Sequence, residues 1–197
     1  MKKIKKLFYV IFLTFVSATS SAGLEPDIFV QSTVNRASSA LADNFSKEEK
    51  ILKLRSIAEE TVDINGIGNY TLGSYRKVIS DKQKNDYSKL FREYFLITFS
   101  SRLAEYSNPE IEVKSKKRLN DNYTIVNSVL VATAERPEVK IDWRIYTKNP
   151  DSPLIRDLII EGLSLARTQK EEFSSILNSN DDDINALFTA LKEFSNN

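Results

Sequence analysis

The stretch DKQKNDYSKLFREYFLITFSSRLAEY, Asp81–Tyr106, sets Tyr87, Leu90, Phe91, Tyr94, Phe95, Thr98, Phe99, Leu103 and Tyr106 at spacings of three and four. That is the period of a single helix face, and most of the positions on it are aromatic. Ser80 with Gln83 opens the helix as a capping box. Asn108 and Pro109 close it, because the residue before a proline resists the helical region. Past the proline the period falls to two. Ile111 and Val113 begin one strand, Tyr123–Thr133 forms a second after a turn at Asn120, Asp121 and Asn122, Val139–Thr147 a third and Leu154–Glu161 a fourth. In the third, Val139, Ile141, Trp143 and Ile145 alternate with Lys140, Asp142, Arg144 and Tyr146, which marks a sheet buried on one side. This switch predicts an α+β fold, a four-stranded antiparallel curved sheet with helices laid on one face.

The flanking segments supply the other helices. Pro26 and Asp27 suit a helix start, and Ile28, Phe29, Val34, Ala37 and Leu41 form its inner stripe to about Asp43. Ser46 and Glu49 are a second capping box, ahead of Ile51, Leu52, Ile57, Ala58 and Val62 as inward residues. DINGIGNYTLGSYRKV, Asp63–Val78, holds three of the chain's five glycines. Each interior glycine costs a helix about 1 kcal/mol against alanine, so short turns or a broken helix are expected here. Gly66 and Gly68 do not make a dinucleotide loop: Thr71 stands where the third glycine belongs, and no strand precedes them. After the last strand, Ser164 caps a helix to about Asn178, and Asp181 caps a final one with Ile184, Leu187, Phe188 and Leu191 inward.

The ends and the composition narrow the chemistry. Lys2, Lys3, Lys5 and Lys6 precede the apolar run Leu7–Val16, and Ser20 and Ala22 hold the small-residue spacing of a cleavage site, so residues 1–22 read as a secretory signal peptide. A spanning helix would need roughly 20 apolar residues. The mature domain is then 23–197, expected in the periplasm. With no cysteine, neither a disulfide nor a lipidated N-terminus is available. Loss of the four leader lysines takes the formal charge from +1 to −3, which argues against a nucleic-acid partner. Histidine is also absent, so the usual nucleophile, base and metal-ligand sets are missing, and neither a catalytic residue nor a metal site is expected. The basic run Lys114–Arg118 reads as a charged edge strand that discourages sheet-to-sheet pairing, or with Arg76 and Lys77 as a docking patch.

Two segments carry a family resemblance. Leu72–Tyr106, LGSYRKVISDKQKNDYSKLFREYFLITFSSRLAEY, and Arg156–Leu177, RDLIIEGLSLARTQKEEFSSIL, resemble the signature blocks of the MlaC, or toluene-tolerance, family of periplasmic phospholipid-binding proteins. The second block is the more specific, with Asp157, Glu161, Gly162 and Ser164 spaced as D-x-x-x-E-G-x-S. Gly66, Gly68 and Leu154 depart from the family pattern. The resemblance implies a carrier that holds glycerophospholipid in an apolar pocket between sheet and helices. It also implies transfer between an outer-membrane complex of a lipoprotein with a porin and an inner-membrane ABC transporter with its substrate-binding domain, maintaining outer-membrane lipid asymmetry. No cofactor is implied beyond the bound phospholipid, and no catalysis.

Pattern and resemblance together nominate the pocket. Phe95, Phe99 and Leu103 would face it from the long helix, Val126 and Leu130 from the second strand, Val139, Ile141 and Trp143 from the third, and Leu158, Ile160 and Leu163 from the last strand and its corner. The second strand is apolar on both faces, Ile125, Val129 and Val131 lying opposite Val126 and Leu130. Asp157, Glu161, Gly162 and Ser164 form a structural corner, where glycine avoids a Cβ clash as strand hands over to helix. Asp157 and Glu161 fall on one side of the strand and could hold backbone amides, Arg156 or Arg167. Taken without the family, aromatic stripes and apolar strand faces are the makings of an ordinary core. The other functional classes are an envelope chaperone or interaction module with an apolar groove, and a small hydrolase, which the missing His and Cys disfavour.

Overall fold

In the computed structural model, residues 23–196 are described; the expected signal peptide lies outside them. Local signals built most of the helices. α1, Pro26–Ala40, begins with proline in its first turn, and α2, Lys47–Thr61, is opened by a capping box in which Ser46 and Glu49 satisfy each other's backbone amides. α3, Ile64–Thr71, forms although it contains Gly66 and Gly68. The Asp63 carboxylate accepts from the Gly66 amide at its start, and a 3₁₀ turn, Gly73–Lys77, follows it. α4, Asp81–Leu103, carries the expected Ser80–Gln83 box and stops three residues before Tyr106.

The strands follow as a meander. β1, Ile111–Asn120, β2, Tyr123–Leu130, β3, Val139–Tyr146, and β4, Leu154–Ile160, pair antiparallel in chain order. A fifth strand corrects the expected four: the two-residue β5, Leu163–Ser164, pairs back on β4, with Ile160 opposite Leu163 and Ile159 opposite Ser164. A pair this short leaves no periodic signal in a sequence. β4 also carries a bulge. Arg144 faces Asp157 while Ile145 faces Ile155, so Arg156 is the extra residue. α5, Leu165–Asn178, leaves directly from β5, and α6, Ile184–Asn196, closes the chain. Asp183, not Asp181, serves the start of α6, its carboxylate accepting from the Asn185 amide at 3.0 Å.

The helices cover one face of the sheet. α1 packs on β1 and β2, and α3 and α5 on β4, whereas α4 packs on α2, α3 and α6 and no strand approaches it as closely. The principal core lies between these layers, running from Phe29, Val30 and Val34 of α1 through Phe91 and Leu96 of α4 to Val126, Ile145 and Ile155 of the sheet. A second, smaller core joins Ala40, Leu41, Leu54, Ile57 and Ala104. Ile28 and Leu52, expected inside, are 58% and 67% exposed; Leu54 takes the inner position on α2. β1 is an edge strand, as its lysines suggested, and Lys116 reaches across to Glu25, just before α1, and to Asp27 in its first turn.

Candidate binding site

α4 delivers a ladder of rings to the interior. Phe91 is buried and meets Phe173 of α5 edge-on at 6.2 Å, while Phe95 and Phe99, both half-buried, stack at 5.4 Å with an interplanar angle of 10°. Tyr94 stands between Phe173 and Phe194, 5.9 Å from each, and its hydroxyl donates to Gln169 at 2.7 Å. Burial pushes the Tyr94 phenol above its ordinary range, and it does the same to Tyr87, whose hydroxyl shares a hydrogen bond with Thr71.

From the other side, β2 turns Thr124, Val126, Ser128 and Leu130 toward the helices, leaving Ile125, Asn127 and Val129 on the opposite face. Ile141, Trp143 and Ile145 of β3 point the same way. The Trp143 indole donates to the Ser128 hydroxyl at 2.8 Å, which in turn donates to the Ile141 carbonyl at 3.0 Å, so the polar atoms on this face are satisfied. The structure thus gathers Phe95, Phe99, Val126, Leu130, Val139, Ile141, Trp143 and Leu158 into one apolar assembly. Ile160 is half-buried opposite Ile141. Two nominated residues stand elsewhere: Leu103 belongs to the smaller core, and Leu163, 59% exposed, turns to solvent.

Within this interior Val126 and Ile145 have no exposed surface, while Phe95, Phe99, Val139 and Leu158 are half-buried. Two clefts stand out at the surface. One, about 530 Å³, runs along α5 past Tyr70, Arg167 and Lys170. The other, about 620 Å³, lies between the end of α4 and the β2–β3 loop. Neither is lined by a nominated residue.

The corner is built from Asp157 outward. Its carboxylate, 3% exposed, accepts from the Ser164 hydroxyl at 2.6 Å and the Ala166 amide at 3.0 Å, and the Arg144 guanidinium lies 3.4 Å away. Ser164 itself accepts from the Arg167 amide, capping α5. Arg156, a partner expected for this pair, goes to Asp63 and to the Tyr123 hydroxyl, with its guanidinium 4.3 Å above the Tyr146 ring. Glu161 is exposed and accepts from the Lys140 amide. Its backbone and that of Gly162 have φ of +48° and +83°, so the pair is a two-residue hairpin turn. A Cβ at Gly162 would meet nothing within 4 Å, which corrects the expected clash: backbone conformation selects glycine here. Tyr94, read from the sequence as part of the aromatic stripe but not nominated for the pocket, has a ring that joins three helices.

Among the described residues no group of His, Cys, Asp and Glu could hold a metal ion, and no helix is long and apolar enough to cross a membrane. A curved antiparallel sheet, faced by helices across an apolar interior and met there by a row of aromatic rings, is the build of an α+β binding domain. The family model described as MlaC protein matches residues 31–193, and the chain belongs to that family. A relative from Haemophilus influenzae, named intermembrane phospholipid transport system binding protein MlaC, is 26% identical over 195 residues, covering 95% of this chain and 90% of its own. The crystal structure of a phospholipid-binding protein from Ralstonia solanacearum in complex with a phospholipid shares the fold, with a TM-score of 0.72 at 18% identity, covering 87% of this chain and 97% of its own.

Proposed function

We propose that residues 23–197, released from the leader 1–22, form a periplasmic carrier that takes glycerophospholipid between the outer and inner membranes and so maintains outer-membrane lipid asymmetry. The observation that carries this reading is the separation of α4 from the strands: its rings reach the sheet face, yet α1, α3 and α5 are the helices that lie on it. Acyl chains occupy the space between α4 and the sheet, against Phe95 and Phe99. Each methylene taken from water contributes about 0.8 kcal/mol, so two chains compete strongly with the contacts they displace. The name of the Haemophilus relative and the ligand of the Ralstonia neighbour support the same substrate class. An outer-membrane complex of a lipoprotein with a porin and an inner-membrane ABC transporter with its substrate-binding domain are the proposed donors and acceptors. The protein carries its ligand without transforming it.

Native mass spectrometry of protein purified from cells tests the proposal. The expected spectrum contains the mature chain with the added mass of a diacyl phospholipid. A chain that carries none, and extracts none from labelled vesicles, overturns it; retention of protein segments in that case favours an envelope chaperone.

A further inference from the structure

The basic side chains flagged in the sequence fall into two groups that the fold treats differently. Those of β1 are engaged by neighbouring acids: Lys114 by Glu112, Lys116 by Glu25 and Asp27, and Arg118 by Asp121, which leaves only Lys117 unpaired. Those beside the α5 cleft are not. Arg167 and Lys170 line it, and the 3₁₀ turn brings Arg76 and Lys77 alongside. The Arg76 guanidinium donates to the Asn69 carbonyl at 3.3 Å, one residue before Tyr70 in the cleft wall, and a Cβ on Gly73 would lie 3.3 Å from the Lys170 Cε. Arg76, Lys77 and Arg167 are exposed, and none of the four cations makes an ion pair among the described residues. Glu171 is the single carboxylate in the walls, and Asp182, past the Asn178 end, accepts from the Tyr75 hydroxyl.

The rest of the wall supplies donors and a ring. The hydroxyls of Ser174, Ser175 and Ser179 make no hydrogen bond among the described residues. Tyr70 is 42% exposed, with the Lys170 ammonium 5.3 Å from its ring centre. Arginine and tyrosine are the residue types on which protein contacts concentrate their binding energy. The cleft, about 530 Å³, runs from Arg167 to Ser179, twelve positions apart and so about 18 Å along the helix. An extended chain of about six residues covers that length. A bilayer surface, being flat, would meet the cations but not a concave row of serines. We infer that this face docks an extended acidic segment of a partner protein, its carboxylates on Arg76, Lys77, Arg167 and Lys170 and its backbone along the serines. No residue of the cleft belongs to the apolar assembly between helices and sheet, so docking here does not depend on what that assembly carries. Attraction of this kind steers the partner in and fades as salt rises.

The test titrates the mature protein, residues 23–197, into fluorescein-labelled hexaglutamate and follows fluorescence polarisation at low and high salt. Saturable binding that weakens with salt is expected, with no binding of labelled hexalysine. Arg76→Ala with Arg167→Ala should weaken hexaglutamate about tenfold, the size of two exposed charge contacts, and leave the melting temperature in place. Ser175→Trp, which fills the cleft from an exposed position without changing its charge, should weaken it comparably. Lys117→Ala with Arg118→Ala on β1 removes as much charge elsewhere and should change nothing. Equal losses from the two double substitutions would reduce the effect to net charge and overturn the inference. Binding that Ser175→Trp leaves intact overturns it as well, since the segment would then not lie in the cleft, and so does a parent protein that ignores the peptide. If that parent instead sediments with phosphatidylglycerol vesicles, and the Arg76 and Arg167 substitutions abolish this, the patch belongs to a membrane. Lipid loading, read separately by native mass spectrometry, decides the carrier reading whichever way the peptide result falls.

Discussion

Glu161 and Gly162 turn β4 into β5 with both backbones in the left-handed region, and open space surrounds the second of them. Replacing Gly162 by valine should therefore cost about 1–2 kcal/mol through backbone strain alone. Asparagine at the same position, which tolerates that conformation, should stay close to the parent. Urea midpoints measured on the two variants check this; equal losses would mean that volume, not φ, decides the site. The importance of this glycine was legible, since it sits where the period changes from two to that of a helix. Its turn type was not, because β5 is too short to register. The glycines of Asp63–Val78 were read as allowing only short turns or a broken helix, and the segment is a short helix followed by a 3₁₀ turn; the reason for Gly66 itself was not legible. A Cβ there would lie 2.5 Å from the Arg156 guanidinium and from the Asp63 carboxylate, so glycine opens room for the ion pair that ties the start of α3 to the β4 bulge. Those partners lie far apart in the chain, and no local pattern announces them.

Among the elements, α5 depends most visibly on one side chain outside itself. Its first turn presents amides that have no partner within the helix. Asp157, one strand away, takes the Ala166 amide and orients the Ser164 cap. Asp157→Ala should strand both groups and remove the partner of Arg144, with a loss of about 2–3 kcal/mol. Ser164→Ala, which removes the cap and leaves the carboxylate, should lose about 1 kcal/mol. Hydrogen exchange at the Ala166 amide separates the two, rising sharply for Asp157→Ala and modestly for Ser164→Ala; matching exchange would deny Asp157 this role. The caps at Ser46, Ser80 and Ser164 were all readable because donor and acceptor lie within three residues. Asp181 was not: it and Asp182 adopt positive φ, at +52° and +61°, and the start of the helix passes to Asp183.

At the scale of the molecule, the order of helices and strands was legible because each buries one face and so repeats with its own period. Whether that buried face meets protein or lipid was not, since both demand the same apolar residues. Phe95 and Phe99 are the most telling of them: they stack on each other, stay half-buried, and lie on the helix that stands off the sheet. If acyl chains enter by displacing these rings, the two phenylalanines stabilise the empty carrier far more than the loaded one. Truncating both to alanine should then lower the melting temperature of the lipid-free protein, each by less than the ~3–5 kcal/mol of a fully buried Phe→Ala change. The loaded protein should lose much less, because lipid occupies the vacated volume. The gap between loaded and empty melting temperatures should therefore widen, as expected for a ligand that binds only the folded form and now binds it more tightly. Calorimetry of both variants and parent, stripped and reloaded, reads that gap directly. An equal fall in the two states would make the rings permanent core, and the path of the acyl chains would have to lie elsewhere.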